Sequence, residues 1–329
     1  GVGINAGISF FLGAGDGERA DKTATLGTLF SFLHGIFLAV ICILAMPLFL
    51  KSFSSDPEMT ALALTYSNRA FLFAPIIGVG LAFEKIFQAM GKMKATMFCM
   101  MCGCITNIVL DPLMIFGIGI FPKMGIAGAA YATGIGQCVT LAAYLIFYAC
   151  GKNPVTLRRT CLHPDSEILK KIYPVGISAT LNMALPSFLI SALNGLLADF
   201  SQKYVLVLGV YYKLQTFIYL TANGIIQGIR PLVGYNFGAG EHARVKKIYR
   251  TSLTMNIGIM LVGTLLSWTI PAGLIGLFTE SAETIAIGVR ALHIISLGFG
   301  VSAVSITCSG VLEGLGKGYP SLYISLARY

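Results

Sequence analysis

Leu12-Gly13-Ala14-Gly15-Asp16-Gly17-Glu18-Arg19 is repeated as Phe237-Gly238-Ala239-Gly240-Glu241-His242-Ala243-Arg244, 225 residues further along the chain. Both copies read Gly-Ala-Gly-acid-x-x-Arg. Alone, a short glycine motif carries little weight. The same offset returns downstream, however. It pairs Phe53 with Phe278, Glu58 with Glu283, Gln88 with Glu313 and Gly91-Lys92 with Gly316-Lys317. One offset held over that distance is the mark of a duplicated unit.

Composition places those units in a membrane. The chain is 56% hydrophobic and 11% charged, with a mean hydropathy of +0.79. Soluble domains carry roughly 25% charged residues to keep their surfaces wet, whereas lipid covers most of a polytopic helical protein. The expected class is therefore an all-α polytopic membrane protein. It opens inside one apolar run and stops inside another, which predicts an internal piece of a longer chain.

Working outward from the first motif, Val2–Leu12 reads as the end of a span. Further spans are expected over residues 25–50, 59–88, 95–120, 125–149, 172–198, 204–233, 251–277 and 284–312, with another beginning at Ser321, about ten in all. Pro75 interrupts the third, and Pro174 and Pro186 break the sixth. Gly125, Gly128, Ala129, Gly134 and Gly136 give the fifth the small surface that suits close helix packing. The organisation expected is an N-terminal bundle over 1–150, a cytoplasmic linker over 151–171 and a C-terminal bundle over 172–329. Six spans separate the two glycine loops. Six is even, so both loops lie on one face and the two units run parallel. On that face stand Arg19, Lys22, Lys92, Lys94, Lys152, Arg158, Arg159, Lys170, Lys171, Arg244, Lys246, Lys247, Arg250 and Lys317; the opposite loops carry Lys51, Lys123 and Lys203. Fourteen against three makes the glycine loops 13–19 and 238–244 cytoplasmic. The net charge of +9 is thereby a topology signal, and nucleic acid is not an expected partner.

Enzyme chemistry finds no foothold. There is no nucleophile–base arrangement, and Gly13-Ala14-Gly15 lacks the Lys-Ser or Lys-Thr of a phosphate loop. Cys99, Cys102 and Cys104 sit among methionines in an apolar span and read as buried packing residues. Cys161 and His163 share the linker but are too few for a metal site. No cofactor is expected.

Polar groups inside the spans carry the functional signal, because an acid at membrane depth costs about 2.5–3.5 kcal/mol on insertion scales. Asn107 and Asp111 are spaced i, i+4 and share a helical face. They offer an amide oxygen and a carboxylate to a cation such as Na⁺, or a proton site; the competing reading is that Asp111 caps a helix broken at Pro112. Asp111 is expected roughly mid-span. Glu84 and Gln88 form a second i, i+4 pair, either facing a cavity or snorkelling beside Lys85. Tyr212, Thr216, Tyr219, Asn223 and Gln227 make a polar, aromatic stripe along one face of a span, fit for a wet cavity and substrate binding. Arg69, Lys213 and Arg290 have no assigned role.

These residues resemble the multidrug and toxic compound extrusion family. The resemblance rests on Gly-Ala-Gly-Asp-x-x-Arg-Ala at 13–20, its echo in Gly234-Tyr235-Asn236-Phe237-Gly238-Ala239-Gly240, and Asn107-x-x-x-Asp111-Pro112, and it runs from the second to the eleventh of twelve expected spans. It implies two six-helix bundles around a central cavity in the full-length protein, and a monomer in a bacterial inner membrane. It also implies export of cationic amphipathic compounds by Na⁺ or H⁺ antiport. By the same resemblance Asn107 and Asp111 belong to a cation site completed by an acid on the absent first span, and Glu84 falls where similar proteins carry an acid. Acids that some members place in spans seven and ten are missing before Glu313. A flippase for lipid-linked saccharides, with Lys213, Arg69 and Arg290 gripping a pyrophosphate, is the alternative. The duplication speaks against a receptor or channel.

Overall fold

A computed structural model describes residues 1–53 and 56–328. Among them are thirteen α-helices and no strand. In order these are α1 (Val2–Gly13), α2 (Gly17–Phe53), α3 (Pro57–Phe71), α4 (Ala74–Ala89), α5 (Met93–Phe116), α6 (Ile126–Cys150), α7 (Ser166–Ala198), α8 (Gln202–Gly238), α9 (His242–Thr269), α10 (Pro271–Gly276), α11 (Ala282–Ser296), α12 (Phe299–Gly314) and α13 (Gly318–Arg328). Six of them are each long and apolar enough to cross a bilayer, and the bent pairs α3–α4 and α11–α12 raise that to eight spans.

The duplication is written into the helix boundaries. Adding the 225-residue offset to the first residues of α2, α3, α4 and α5 gives those of α9, α11, α12 and α13. The two bent pairs turn by 49° and 50° at equivalent breaks. In the first, Pro75 marks the interruption expected of it: it sits just past the break, in the opening turn of α4, where its missing N–H costs nothing. Asp56 opens α3, its carboxylate accepting from the Glu58 and Met59 amides, with Pro57 following.

Several expectations need correction. Pro174 and Pro186 do not break their span, since α7 runs through both. Nor does the helix stop at Pro112, so Asp111 caps nothing there. The stop comes at Gly117, which is left-handed at φ 74° and donates its N–H to the Leu113 carbonyl. With α5 ending at Phe116 and not near 120, Asp111 stands within two turns of the helix end, not mid-span.

The chain forms two compact units. One holds Gly3–Ile8 and Asp16–Ser166; the other holds Ser9–Gly15 and everything from Glu167. In the first, α5 lies along α6, with Gly103 and Gly136 at the contact, where a side chain on Gly103 would run into the Gly136 carbonyl. Phe83, Phe87, Cys99 and Tyr144 make a buried cluster there. Residues 151–165 belong to this same unit and are tied to α2. In the second unit, Tyr211, Ala222, Ile226, Ile229 and Val233 of α8 meet Met260, Leu292, Phe299 and Ile306 in a buried core.

The two glycine motifs meet within the second unit. A Cβ on Gly13 would overlap the Tyr235 carbonyl oxygen, and one on Gly238 would overlap that of Phe10. Phe10 and Tyr235 are themselves 225 residues apart, so each copy's glycine admits the other copy's backbone at the matching place. Gly15 and Gly240 then turn the chain at φ 76° and 74°, a conformation that costs a residue with a Cβ roughly 1 kcal/mol or more.

Candidate functional site

Asn107 and Asp111 project from α5 beside α6. Asn107 Nδ2 donates to Thr133 Oγ1 at 3.4 Å, and that hydroxyl donates to the Ala129 carbonyl at 3.0 Å. The amide is thus oriented by its neighbour, and among the described residues nothing donates to its oxygen. One turn on, Asp111 Oδ1 is shut off from solvent and accepts no hydrogen bond. A buried carboxylate oxygen without a donor is costly, because its desolvation is uncompensated. A proton or a small cation is what such an oxygen lacks.

Glu84 and Gln88 lie elsewhere in the same unit, at the end of α4, and neither snorkels. Glu84, Lys85 and Gln88 are all buried. Lys85 Nζ meets Glu84 Oε1 at 2.7 Å and Gln88 Oε1 at 3.1 Å, while Gln88 Nε2 donates to Glu84 Oε1 at 2.8 Å. Asn5 closes the cluster by donating to the Lys85 carbonyl at 3.3 Å. Glu84 therefore presents a charge already matched by its own neighbour.

The α8 stripe turns away from its unit's core. Thr216, Asn223 and Gln227 are exposed, and Tyr212 and Tyr219 are half-buried at the core's edge. Tyr219 meets Phe299 edge-on at 6.1 Å. Of the basic residues without a role, Arg69 bonds back to the Thr65 carbonyl and lies 5.8 Å over Tyr131, Lys213 lies 5.5 Å over Phe278, and Arg290 is exposed.

One cluster escaped the sequence reading. In the second unit Glu313 is 2% exposed. Its carboxylate pairs with Arg230 at 2.6 Å and accepts from Asn182 at 3.0 Å and Ser321 at 3.2 Å. The offset had matched Glu313 to Gln88, and the same offset matches Arg230 to Asn5. Each unit thus buries an ion pair at the end of its bent span, built from different residues. Only the pairing of Glu313 with Gln88 was visible beforehand; Arg230 and Asn182 lie far off in sequence.

Among the described residues no group of three or more His, Cys, Asp or Glu side chains converges as for a metal ion, and all eight cysteines are free.

A family model described as MatE matches residues 1–113 and 178–329. The multidrug export protein MepA of Staphylococcus aureus strain MSSA476 is 27% identical over 323 residues, which cover 97% of this chain and 69% of that protein. MepA of Staphylococcus saprophyticus is 24% identical over 318 residues, with the same coverage. Among solved structures, an outward-facing multidrug resistance MATE transporter of the MOP superfamily superposes with a TM-score of 0.90 at 23% identity, over 99% of this chain and 72% of that one. A MOP superfamily transporter from Pyrococcus furiosus, described as having a binding pocket of reverse polarity, superposes with a TM-score of 0.89 at 23% identity over the same shares.

Proposed function

The chain belongs to the MatE family, the multidrug and toxic compound extrusion transporters, and we propose that it exports cationic amphipathic compounds by antiport with Na⁺ or H⁺. The named relatives are drug exporters, which favours this reading over the flippase. It is a non-enzymatic carrier of a bacterial inner membrane, with the loops at 13–19 and 238–244 on the cytoplasmic side. A chain built from a duplicated unit suits transport by alternating access.

The observation that carries the coupling step is the unpartnered Asp111 Oδ1, one helical turn along α5 from Asn107. A proton satisfies the carboxylate by neutralising it. Na⁺ satisfies it by coordination, with Asn107 adding a neutral oxygen one turn away. Either ion drives export only if it binds the inward-open and outward-open states unequally. The α8 stripe supplies aromatic faces and neutral polar groups for an amphipathic cation. Glu84 and Gln88, closed in their own cluster, fall to a supporting part in substrate binding.

Ethidium efflux from proteoliposomes of the full-length protein tests this. Asp111→Asn is expected to abolish gradient-driven export while the protein stays folded and still binds ethidium. Asn107→Ala is expected to weaken Na⁺ dependence more than H⁺ dependence. Export by Asp111→Asn at the wild-type rate, with the gradient intact, moves the coupling site elsewhere.

A further inference from the structure

The two copies of the glycine motif lead into equivalent helices with opposite fates. In the first copy, the opening turns of α2 are covered by the segment that follows α6. Asp21 accepts from the Thr156 amide and hydroxyl, each at 2.7 Å, and pairs with Arg158 at 3.0 Å. Lys22 pairs with Asp165 at 2.7 Å, and Thr25 accepts from the Arg158 amide at 3.1 Å. Asp21 and Thr25 are consequently buried.

The offset of 225 carries Asp21, Lys22 and Thr25 onto Lys246, Lys247 and Arg250 of α9. There the acid and the hydroxyl have both become cations, and all three side chains are exposed. Arg244 adds a fourth, held only loosely by Glu241 at 3.9 Å. Among the described residues no acid pairs with Lys246, Lys247 or Arg250.

The placement of these cations is specific. Arg244, Lys247 and Arg250 recur every three residues and so share one side of the helix. The side of α9 packed into its unit is a different one, formed by Ser252, Asn256, Met260 and Gly263. Further along the cationic side the helix exposes Leu261 and Leu265. Because α9 qualifies as a membrane span, its outward side changes from basic to apolar along its length. That is the profile of the lipid itself, an anionic headgroup above an acyl chain. Lysine and arginine clusters at the foot of a span attract anionic headgroups.

We propose that Lys246, Lys247 and Arg250, with Arg244 at the rim, form a binding site for an anionic phospholipid at the foot of α9. The headgroup phosphate takes the place that Asp165 and the Thr156 segment hold on α2, and the acyl chains lie along Leu261 and Leu265. The first unit cannot host the same lipid, because its own chain covers the equivalent surface and Asp21 repels a phosphate.

Native mass spectrometry of the full-length protein in detergent, titrated with phosphatidylglycerol and separately with phosphatidylcholine, tests the site. The wild type is expected to retain phosphatidylglycerol in preference. K246Q/K247Q/R250Q is expected to weaken that retention at least tenfold, since each cation near an anionic surface is worth about a fivefold change. K246R/K247R/R250K, which keeps the charge, restores it, and K22Q leaves it unaltered. A benzophenone side chain at position 247 should crosslink to lipid. Three results overturn the proposal: unchanged phosphatidylglycerol retention in the triple glutamine variant, no preference over phosphatidylcholine in the wild type, or a crosslink from position 247 to protein and not to lipid.

Discussion

At the scale of single residues, burial decides what an acid can do. Asp111 has an oxygen with no partner, and Glu84 has a lysine at 2.7 Å. Removing one member of a buried pair strands the other, at a cost of about 3–5 kcal/mol. Glu84→Gln is therefore expected to lower the thermal midpoint of the detergent-solubilised protein before it alters drug selection. If Glu84→Gln melts like the wild type and loses only resistance to cationic drugs, Glu84 is a ligand group after all. Arg230 and Glu313 give the matching experiment in the second unit. Glu313→Gln strands Arg230 and should destabilise by a similar amount, while Arg230→Gln with Glu313→Gln recovers most of the loss. A double variant no more stable than Glu313→Gln alone means that Asn182 and Ser321 hold the cluster without Arg230.

At the scale of elements, backbone proximity sets what the repeat can tolerate. Gly13 and Gly238 lie against carbonyl oxygens that cannot rotate away, so Gly13→Ala and Gly238→Ala are expected to abolish a folded, monodisperse protein. Gly80→Ala is the control. It faces open space in the middle of α4, and alanine there should leave stability unchanged or raise it by up to about 1 kcal/mol. A normal size-exclusion profile for Gly13→Ala would mean that the two motifs pack less closely than described. The glycine signature was legible in the sequence because a chain that must pass another backbone has one residue type to use. The bend at 72–73 was legible too, because Pro75 interrupts that span; the one at 297–298 was not, since no proline stands near it. The long α7 was misread because whether a proline ends a helix depends on what satisfies the freed carbonyl, and neighbouring helices supply that in a membrane.

At the scale of the molecule, the orientation of the two units is open to a direct test. A single cysteine at Gly17 or at Ala243, both exposed, should react only from the cytoplasmic side, and one at Lys123 only from outside. Ser55, which the sequence reading places in the first outer loop, lies outside the described residues. Labelling of positions 17 and 243 from opposite faces breaks the parallel-repeat arrangement. The even count of spans and the distribution of lysine and arginine both predict one face.

The sequence by itself determined the membrane class, the duplication and the family, because each is carried by features that do not depend on contacts: apolar length, a constant offset, and glycines where no other residue fits. It also located the polar groups that pay the cost of membrane depth. Only the tertiary structure decided which of those groups were spoken for. Lys85 neutralises Glu84, Arg230 neutralises Glu313, and Asp111 keeps an oxygen unmatched. It also decided that the foot of α2 is covered and the foot of α9 is bare. A charge's worth depends on what stands within a few ångströms of it, and for pairs such as Asp21 with Thr156 or Glu313 with Arg230 that neighbour comes from far along the chain.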